Sequence, residues 1–342
     1  MPATLNADET LTHPPMPLYF HDLYTDGIHP DARFPRDRYH RIAERIRHYG
    51  SDELITIKTS PLATRDQILL AHEQEYVDRF LGGTMSREES RKIGLRPWTP
   101  LIIPRTLHIV GGAIAALEDA LKSGGFAANM AGGTHHAHSD WGSGYCVFND
   151  IAICALLAKH QFGLGQISIL DLDVHQGDGT ATLLSKYPDC ATVSVHCGTN
   201  FPFKKAMSDT DIPIPADSGD AVFLEAVDAA IDIAMSSCPQ ILLFQGGVDA
   251  LATDKLGRLN VTREGMAERN RRVFDACFRH RIPCVVFMGG GYSRPIDASV
   301  DAFFDLFVQA AQTHKRLSCE PASFSGQSSQ TRLGSSMDPL SP

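Results

Sequence analysis

The residues from Ile169 to Gly179 read ILDLDVHQGDG and place three polar side chains two positions apart. They follow an apolar segment, Ile167 to Leu170, that is typical of a buried strand. Because alternate side chains of an extended chain share a face, Asp171, Asp173 and His175 should point the same way where the strand ends. A divalent cation would neutralise such carboxylates and accept the imidazole lone pair. The pattern therefore predicts a metal site. A ribose or Mg²⁺ site, or a capped βα turn, is the alternative.

Asp173, His175 and Asp249 form a possible ligand set for one metal ion. A catalytic metal usually has three protein ligands and one open position, and two carboxylates with one neutral imidazole suit Zn²⁺ or Fe²⁺. A two-metal site of the arginase kind needs further acidic residues two positions away. Those positions hold glycine after His175, and glycine and leucine around Asp249. A single catalytic ion is therefore predicted.

Two adjacent histidines, His135 and His136, follow a Gly-Gly pair and can both reach one pocket from an irregular turn. Each needs a partner to fix its tautomer, and Asp171 and Asp178 are the natural candidates. Tyr292 follows three glycines, and its phenol can donate to an oxyanion. These residues would supply a metal-bound water, a histidine base, a histidine acid and a phenol donor. Such a set of groups predicts amide hydrolysis. A surface histidine pair and a tyrosine ring packed over the glycines are the alternatives.

Near-continuous apolar strands alternate with amphipathic helices through most of the chain. Helices are predicted at 105–122, 150–159, 180–186, 221–236, 262–279 and 298–311, and strands at 126–130, 167–172, 191–196, 240–245 and 283–288. This alternation predicts an α/β fold with three layers, in which helices cover both faces of a central, mainly parallel sheet. The site then lies beyond the C-terminal strand ends. All five predicted strands end in polar or glycine-rich turns, which predicts one catalytic edge.

Length and composition limit the function classes. The chain has 342 residues, 43% of them apolar, which is enough for one large core. The formal charge is −9, and without a long run of Lys or Arg direct nucleic-acid binding is not expected. The eight cysteines form no CxxC pair and are predicted to be reduced core residues. Without a signal peptide or 18 consecutive apolar residues, a cytoplasmic protein with no membrane span is predicted.

Three segments are predicted along the chain. Residues 1–17 are polar and Pro-rich and should be a flexible N-terminus, while 18–314 should form the catalytic domain. Residues 315–342 lack apolar periodicity and are expected to be a disordered tail. Residues 82–104 and 197–220 are predicted to be long loops that wall the site. Acidic and basic residues are mixed in these loops, so no strongly acidic funnel for a polycation is expected.

Five motifs in combination resemble those of the zinc-dependent histone deacetylases and their bacterial relatives, which have the arginase/deacetylase fold. The motifs are GGTHHAH at 132–138, WGSGYCVFND at 141–150, DLDVHQGDG at 171–179, GGVD at 246–249 and GGGY at 289–292. The resemblance extends from about Tyr19 to Ala311. The segments at 29–39, 91–98 and 200–215 are most similar to the class IV type and its bacterial homologues.

The resemblance implies a role for each residue of the predicted site. The zinc ligands would be Asp173, His175 and Asp249. The base and acid pair would be His135 and His136, supported by Asp171 and Asp178, and Tyr292 would polarise the acyl carbonyl. The substrate-binding residues of a narrow tunnel for the lysine stem would be Gly144, Tyr145, Phe201 and Gly290. A structural K⁺ would lie near Asp171, Asp173, His175, Ser194 and Val195.

Two positions depart from the family pattern. Tyr145 stands where Phe is common, which adds a hydroxyl that bears on acyl-chain preference. Asp178 stands where class IV enzymes often have Asn, which is closer to the class I arrangement. The predicted activity is zinc-dependent removal of an acetyl or longer acyl group from the ε-amine of lysine in proteins or peptides. An acetylpolyamine or other small-amide deacetylase, and a weakly catalytic acyl-lysine binding protein, are the alternatives. The presence of Tyr292 and both histidines favours turnover.

Overall fold

The computed structural model describes residues 14–49 and 53–319 and contains one sheet of eight parallel strands in this part of the chain. The strands are β1 (Met16–Phe20), β2 (Ile55–Thr59), β3 (Phe126–Asn129), β4 (Ile167–Asp171), β5 (Cys190–Cys197), β6 (Thr210–Ile214), β7 (Ile241–Gln245) and β8 (Cys284–Phe287). Their order across the sheet is β2-β1-β3-β8-β7-β4-β5-β6. Because all strands run the same way, their C-terminal ends share one edge.

Helices cover both faces of this sheet. They are α1 (Leu23–Asp26), α2 (Arg38–His48), α3 (Arg65–Ile68), α4 (Gln74–Leu81), α5 (Arg87–Ile93), α6 (Ile102–Ser123), α7 (Asp150–His160), α8 (Asp178–Leu184), α9 (Asp220–Ser236), α10 (Arg263–His280) and α11 (Asp297–Cys319). Helices α6, α7 and α8 pack together on one face, whereas α9, α10 and α11 pack together on the other. The three-layer α/β prediction is therefore confirmed.

The central strands are apolar along their length because both of their faces are covered. Every residue of β4, β7 and β8 is buried. Strands β4 and β7 are neighbours, and Asp171 at the end of one is in register with Gln245 at the end of the other. The segments that follow these two strands therefore begin side by side.

The predicted helices and strands from residue 105 onward are all present, with ends shifted by a few residues. The largest difference is α11, which continues to Cys319, five residues into the segment expected to be a disordered tail. The extra turn forms because Leu317 is buried and His314 accepts a hydrogen bond from the Phe126 amide. Residues 320–342 and most of the predicted N-terminal segment lie outside the described residues, although β1 begins at Met16.

The two expected loops contain regular structure. Helix α5 lies within 82–104, where Ser86 and Glu89 form a reciprocal cap at its start. Strand β6 lies within 197–220 and extends the sheet beside β5.

The predictions about cysteines and membranes can also be compared with the fold. All eight cysteines are free, and six of them are buried. Cys238 and Cys319 are exposed, so the prediction that every cysteine is a core residue is wrong for these two. Within residues 14–49 and 53–319, no helix combines the length and apolarity that a bilayer crossing requires.

Candidate active site

Asp173, His175 and Asp249 meet at the edge where β4 and β7 end. Their ligand atoms lie within 4.8 Å of one another, and all three side chains are buried. His175 Nδ1 is 3.0 Å from Asp173 Oδ1 and 3.0 Å from Asp249 Oδ2. The predicted ligand set is therefore brought together.

The outer oxygens of both carboxylates have donors of their own. Asp173 Oδ2 accepts from Gln245 Nε2 (2.8 Å) and from the Gly290 amide (2.9 Å), and Asp249 Oδ1 accepts from the Val174 amide (2.9 Å). These bonds turn Asp173 Oδ1 and Asp249 Oδ2 toward the His175 nitrogen. Two buried carboxylates and one imidazole then present converging lone pairs, and this donor set fits a divalent cation such as Zn²⁺.

The charged groups of this cluster act strongly on one another's pKa values. Burial and the neighbouring Asp173 carboxylate raise the pKa of Asp249, since two anions so close together disfavour each other. Burial lowers the pKa of His175, but Asp173 and Asp249 outweigh it and the net shift is upward. A bound cation would relieve the same repulsion directly.

Asp171 does not join the ligand cluster, although its spacing predicts that it shares a face with Asp173 and His175. Strand β4 ends at Asp171, so the chain beyond it leaves the extended geometry on which the spacing argument depends. His135 Nδ1 donates to Asp171 Oδ2 at 2.7 Å, and the other oxygen accepts from the Asp173 amide at 3.1 Å. The predicted support of His135 by Asp171 is thus present in the structure.

His136 has the same arrangement with its own carboxylate. Its Nδ1 donates to Asp178 Oδ1 at 2.7 Å, and the rings of His135 and His136 are 4.1 Å apart. Burial lowers the pKa of His136 to about 4, with a further contribution from His135. Burial also disfavours charge on His135, but Asp171 and Asp173 raise its pKa to about 9. The histidine pair is therefore electrostatically unsymmetrical.

A third histidine, His138, was missed by the sequence reasoning. Its Nε2 donates to Asp178 Oδ2 at 3.1 Å, and its ring stacks on Trp141 with centroids 3.9 Å apart. Asp178 thus accepts from two histidines, one on each oxygen. The GGTHHAH motif contains the signal, since it places His138 two residues after His136.

Asp173 and His175 of the metal-capable cluster line one pocket of about 1080 Å³ together with His135, His136 and His138. All four predicted substrate-binding residues line this pocket: Gly144, Tyr145, Phe201 and Gly290. The Phe201 and His136 rings pack edge to face with centroids 4.9 Å apart, and the ring centroids of Tyr145 and Tyr292 are 5.8 Å apart. Gly144 and Tyr145 both have left-handed backbone conformations, with φ of 53° and 69°. The Gly144 carbonyl accepts from Cys146 Sγ at 3.4 Å.

Tyr292 lines the pocket, and the centroid of its ring lies 5.8 Å from that of Tyr145 and 5.4 Å from Arg38 Cζ. Burial raises the pKa of Tyr292 well above its ordinary value. The phenol therefore stays protonated at neutral pH and can act as a donor.

Two glycines are required by the close approach of the ligand carboxylates. A Cβ on Gly247 would come within 2.2 Å of Asp173 Oδ2, and one on Gly290 within 2.0 Å of Asp249 Oδ2. Neither position can hold a side chain without displacing a candidate ligand. Gly290 thus has a structural role through its amide and its lack of a side chain, in addition to its place on the pocket wall.

Two buried arginines hold the glycine-rich turns from behind. Arg269 donates from Nη1 to the Gly247 carbonyl (2.6 Å) and from Nη2 to the Gly246 carbonyl (3.2 Å). Arg38 donates to the carbonyls of Gly291 (2.8 Å) and Gly289 (3.3 Å). These bonds fix the turns that follow β7 and β8, which carry Asp249 and Tyr292.

The predicted potassium residues are neighbours, but no contact tests the ion. Asp171 is in register with Ser194 on the adjacent strand β5. Ser194 and Val195 are buried, and Ser194 Oγ lies 3.0 Å from His196 Nδ1. A structural K⁺ stays a prediction.

The parallel sheet, with the Asp173, His175 and Asp249 cluster at the C-terminal ends of its strands, defines a class of protein. This class is the α/β proteins with an arginase/deacetylase-like fold. The solved structure of acetylpolyamine aminohydrolase from Burkholderia pseudomallei matches with a TM-score of 0.71, covering 87% of this chain and 99% of that one. Sequence identity is 20%, so this likeness shows the shared fold.

The sequence comparisons identify the family. The family described as histone deacetylase domain matches residues 32–306. An uncharacterised protein of Picosynechococcus is 37% identical over 282 residues, 82% of this chain and 93% of that protein. Histone deacetylase 2 of Arabidopsis thaliana is 26% identical, covering 80% and 73%, and the acetoin utilization protein AcuC of Staphylococcus aureus is 29% identical, covering 68% and 65%. The chain belongs to the histone deacetylase family, and this membership supports deacetylase activity, the hydrolysis of an amide.

Proposed function

We propose that this protein is a zinc-dependent deacylase that removes an acetyl or longer acyl group from the ε-amine of lysine in a protein or peptide. One observation carries the proposal: two members of a three-donor cluster that suits a divalent cation, Asp173 and His175, line the same pocket as two carboxylate-bound histidines and a phenol. Each of these groups has a distinct use in amide hydrolysis.

Asp173, His175 and Asp249 would hold the zinc ion. When bound, zinc supplies Lewis-acid chemistry, which acidifies water and polarises a carbonyl oxygen. Three protein donors leave room for further ligands, as is usual where a metal takes part in a reaction.

His135 and His136 would move the protons. Each donates its Nδ1 proton to a carboxylate, so each Nε2 is left to exchange a proton with the reacting groups. Hydrolysis forms a bond from the water oxygen to the acyl carbon and breaks the bond from that carbon to the lysine nitrogen. One histidine accepts the water proton, and its partner delivers a proton to the departing amine.

Tyr292 would donate its hydroxyl proton in a hydrogen bond to the acyl oxygen as negative charge develops there. Tyr145 and Phe201 supply aromatic walls for the aliphatic lysine stem. The Gly144 carbonyl is proposed to accept the amide N–H of the substrate, which would orient the scissile bond.

A turnover screen with the zinc-loaded protein tests this function. Acyl-lysine peptides with increasing acyl length should be compared with acetylated polyamines at equal concentration. We expect His135→Asn to abolish turnover, and His48→Asn, at an exposed position on α2, to serve as the matched control. A kcat/KM for polyamines more than about tenfold higher, roughly 1.4 kcal/mol in the transition state, would replace acyl-lysine by polyamine as the substrate class.

A further inference from the structure

Cationic side chains surround the mouth of the active-site pocket. Arg33 lies between α1 and α2, Lys204 lies between β5 and β6, and Arg258 follows β7, and all three are exposed and line the pocket. We call these three residues the rim cations. They come from three separate segments of the chain and line the same pocket.

The rim cations have no partners of their own. Across residues 14–49 and 53–319, none of these three side chains forms an ion pair or a hydrogen bond. Two further lysines line the pocket but have partners. Lys205 Nζ donates to the carbonyls of Asn200 (2.5 Å) and Pro202 (2.6 Å), so Lys205 is not a rim cation. Lys92 Nζ lies 3.1 Å from the centroid of the Trp141 ring. Asp140 and Glu88 are close enough to act on the Lys92 charge, so Lys92 is left out of the set.

Acidic side chains do not balance these charges at the mouth. The acidic residues among the described pocket lining are Asp173 and Asp178, both buried at the reaction centre. Asp209 accepts from the Thr192 amide and hydroxyl, and Asp211 accepts from Gln176 Nε2. In this loop of mixed charge, Asp209 and Asp211 are hydrogen-bonded to Thr192 and Gln176 and do not line the pocket, whereas Lys204 does.

We propose that the substrate of this pocket is an acyl-lysine flanked by aspartate or glutamate residues. This inference rests on the proposed function and adds a substrate class to it. With the lysine stem in the pocket, the neighbouring residues of a peptide pass over the rim, where unpaired cations attract carboxylates and repel lysine and arginine. Phe203 and Leu256, which are 86% and 43% exposed, line the same mouth and offer apolar contact to the peptide.

The same charges disfavour a polyamine, whose free ammonium groups would meet the rim cations. They also differ from a nucleic-acid surface. The chain carries a net charge of −9, and three cations at one pocket are fewer than the extended basic surface that nucleic-acid binding requires.

Three otherwise identical acyl-lysine peptides test the proposal, with the two residues on each side of the lysine replaced by Asp, Asn or Lys. At about 0.02 M NaCl we expect kcat/KM for the acidic peptide to exceed that for the basic peptide by about tenfold or more, with the neutral peptide between them. At about 0.5 M NaCl the ratio should fall several-fold, because exposed charges are screened. Binding of the same peptides, measured by fluorescence anisotropy, provides a readout that does not depend on turnover.

Replacing the rim cations by glutamine tests whether these three residues cause the preference for the acidic peptide. In the triple variant Arg33→Gln, Lys204→Gln, Arg258→Gln, the acidic-to-basic ratio should fall to about one or two. The matched control is Lys122→Gln, Lys186→Gln, Lys315→Gln, which removes three exposed cations that do not line the pocket. This control should keep the wild-type ratio, although its net charge changes equally. If the rim variant does not fold, the salt dependence of the wild-type ratio decides the matter.

The outcomes separate the two proposals. Equal kcat/KM for the three peptides, a preference for the basic peptide, or a loss of preference in the control variant would overturn the acidic-flank proposal and leave the deacylase function intact. Absence of turnover with every peptide would overturn the deacylase function. In that case charge-dependent binding would still support an anionic ligand at the rim, and its absence would remove that inference too. Tighter binding of an oligonucleotide than of the acidic peptide would also count against the proposal.

Discussion

His138 donates to Asp178 Oδ2 at 3.1 Å, on the opposite oxygen of the carboxylate from the one that binds His136 at 2.7 Å. The second bond removes the freedom of the carboxylate to rotate. The stacking of His138 on Trp141 fixes its direction further. Asp178 is thus held from two sides, and His136 is oriented through it.

We therefore expect His138→Phe to lower kcat by roughly three- to tenfold with little change in KM, the size of effect expected from one net hydrogen bond. His138→Gln can restore a donor and should recover part of the loss. Steady-state kinetics on the zinc-loaded protein, with thermal unfolding as a check on integrity, measure this. Equal kcat in wild type and His138→Phe would show that His136 needs no such support.

Tyr292→Phe tests the phenol. If Tyr292 donates to the developing oxyanion, its loss should lower kcat by about 10² or more. The zinc content should be unchanged, because Tyr292 is not a member of the ligand cluster. Tyr187→Phe, on a tyrosine that does not line the pocket, is the matched control. A Tyr292→Phe variant with near-wild-type kcat would remove the phenol from the proposed reaction.

Metal content is a third test. We expect one zinc ion per chain, loss of turnover on exhaustive chelation, and recovery when about one equivalent of Zn²⁺ is restored. Asp249→Asn should bind zinc far more weakly, because it removes one of two ligand carboxylates. Elemental analysis together with turnover measures this. Two tightly bound transition metals per chain, or turnover that survives chelation, would contradict the single-ion proposal.

Arg269→Met should destabilise the fold. The substitution preserves most of the side-chain volume but leaves the carbonyls of Gly246 and Gly247 without their buried donors. Such losses typically cost about 1–3 kcal/mol per group, so we expect a fall of roughly 2–5 kcal/mol in the free energy of unfolding. Arg271→Met, on the exposed side of the same helix, should cost below about 1 kcal/mol. Denaturant unfolding compares the two, and similar losses would show that the carbonyl contacts contribute little.

We expect the buried His72 to lower the free energy of unfolding in acid. It donates from Nδ1 to the His138 carbonyl and accepts at Nε2 from the Asn149 amide, each at 2.8 Å. Burial lowers the pKa of His72 to about 4. An unfolded histidine binds a proton near pH 6.5, so the stability contributed by neutral His72 is present above pH 6.5 and is lost as the pH falls toward 4.

His72→Gln can make both bonds without titrating. Between pH 7 and pH 4 the wild type should therefore lose on the order of 2–3 kcal/mol more unfolding free energy than the variant. Urea unfolding at the two pH values measures this difference. Parallel pH dependence in the two proteins would mean that His72 does not set the acid limit.

The sequence predicts much of the candidate site because its residues follow strand ends. Strands in a parallel sheet deliver their C-terminal residues to one edge whatever the loops do, so His135, Asp173 and Asp249 could be grouped before any coordinates were known. The two-residue spacing was a weaker guide. This spacing predicts that Asp171 lies with Asp173, but strand β4 ends at Asp171 and the alternation of side chains stops there. Asp171 accepts a hydrogen bond from His135 instead.

What the sequence reasoning missed depends on contacts between distant segments. Arg269 reads as an ordinary surface charge on an amphipathic helix, although it is flanked at helical spacing by Met266 and Val273, both buried. Its partners lie on another element, so no local pattern names them. The rim cations were also hidden, because the carboxylates nearest to them in sequence, such as Asp209, form their hydrogen bonds elsewhere.

The buried arginines behind the glycine-rich turns also bear on how the metal centre is assembled. Arg38 and Arg269 donate hydrogen bonds to backbone carbonyl oxygens. Both also lie close enough to Asp249 to interact electrostatically with its carboxylate. Burial lowers the pKa of Arg269 to about 9, so it still carries its charge at neutral pH. The polypeptide thus contains two positive charges close to the two candidate ligand carboxylates even without a metal ion. If the cluster binds a metal as proposed, we expect folding and metal uptake to be separable, so that the protein tolerates emptying and refilling of the centre, or exchange of one divalent ion for another, without unfolding.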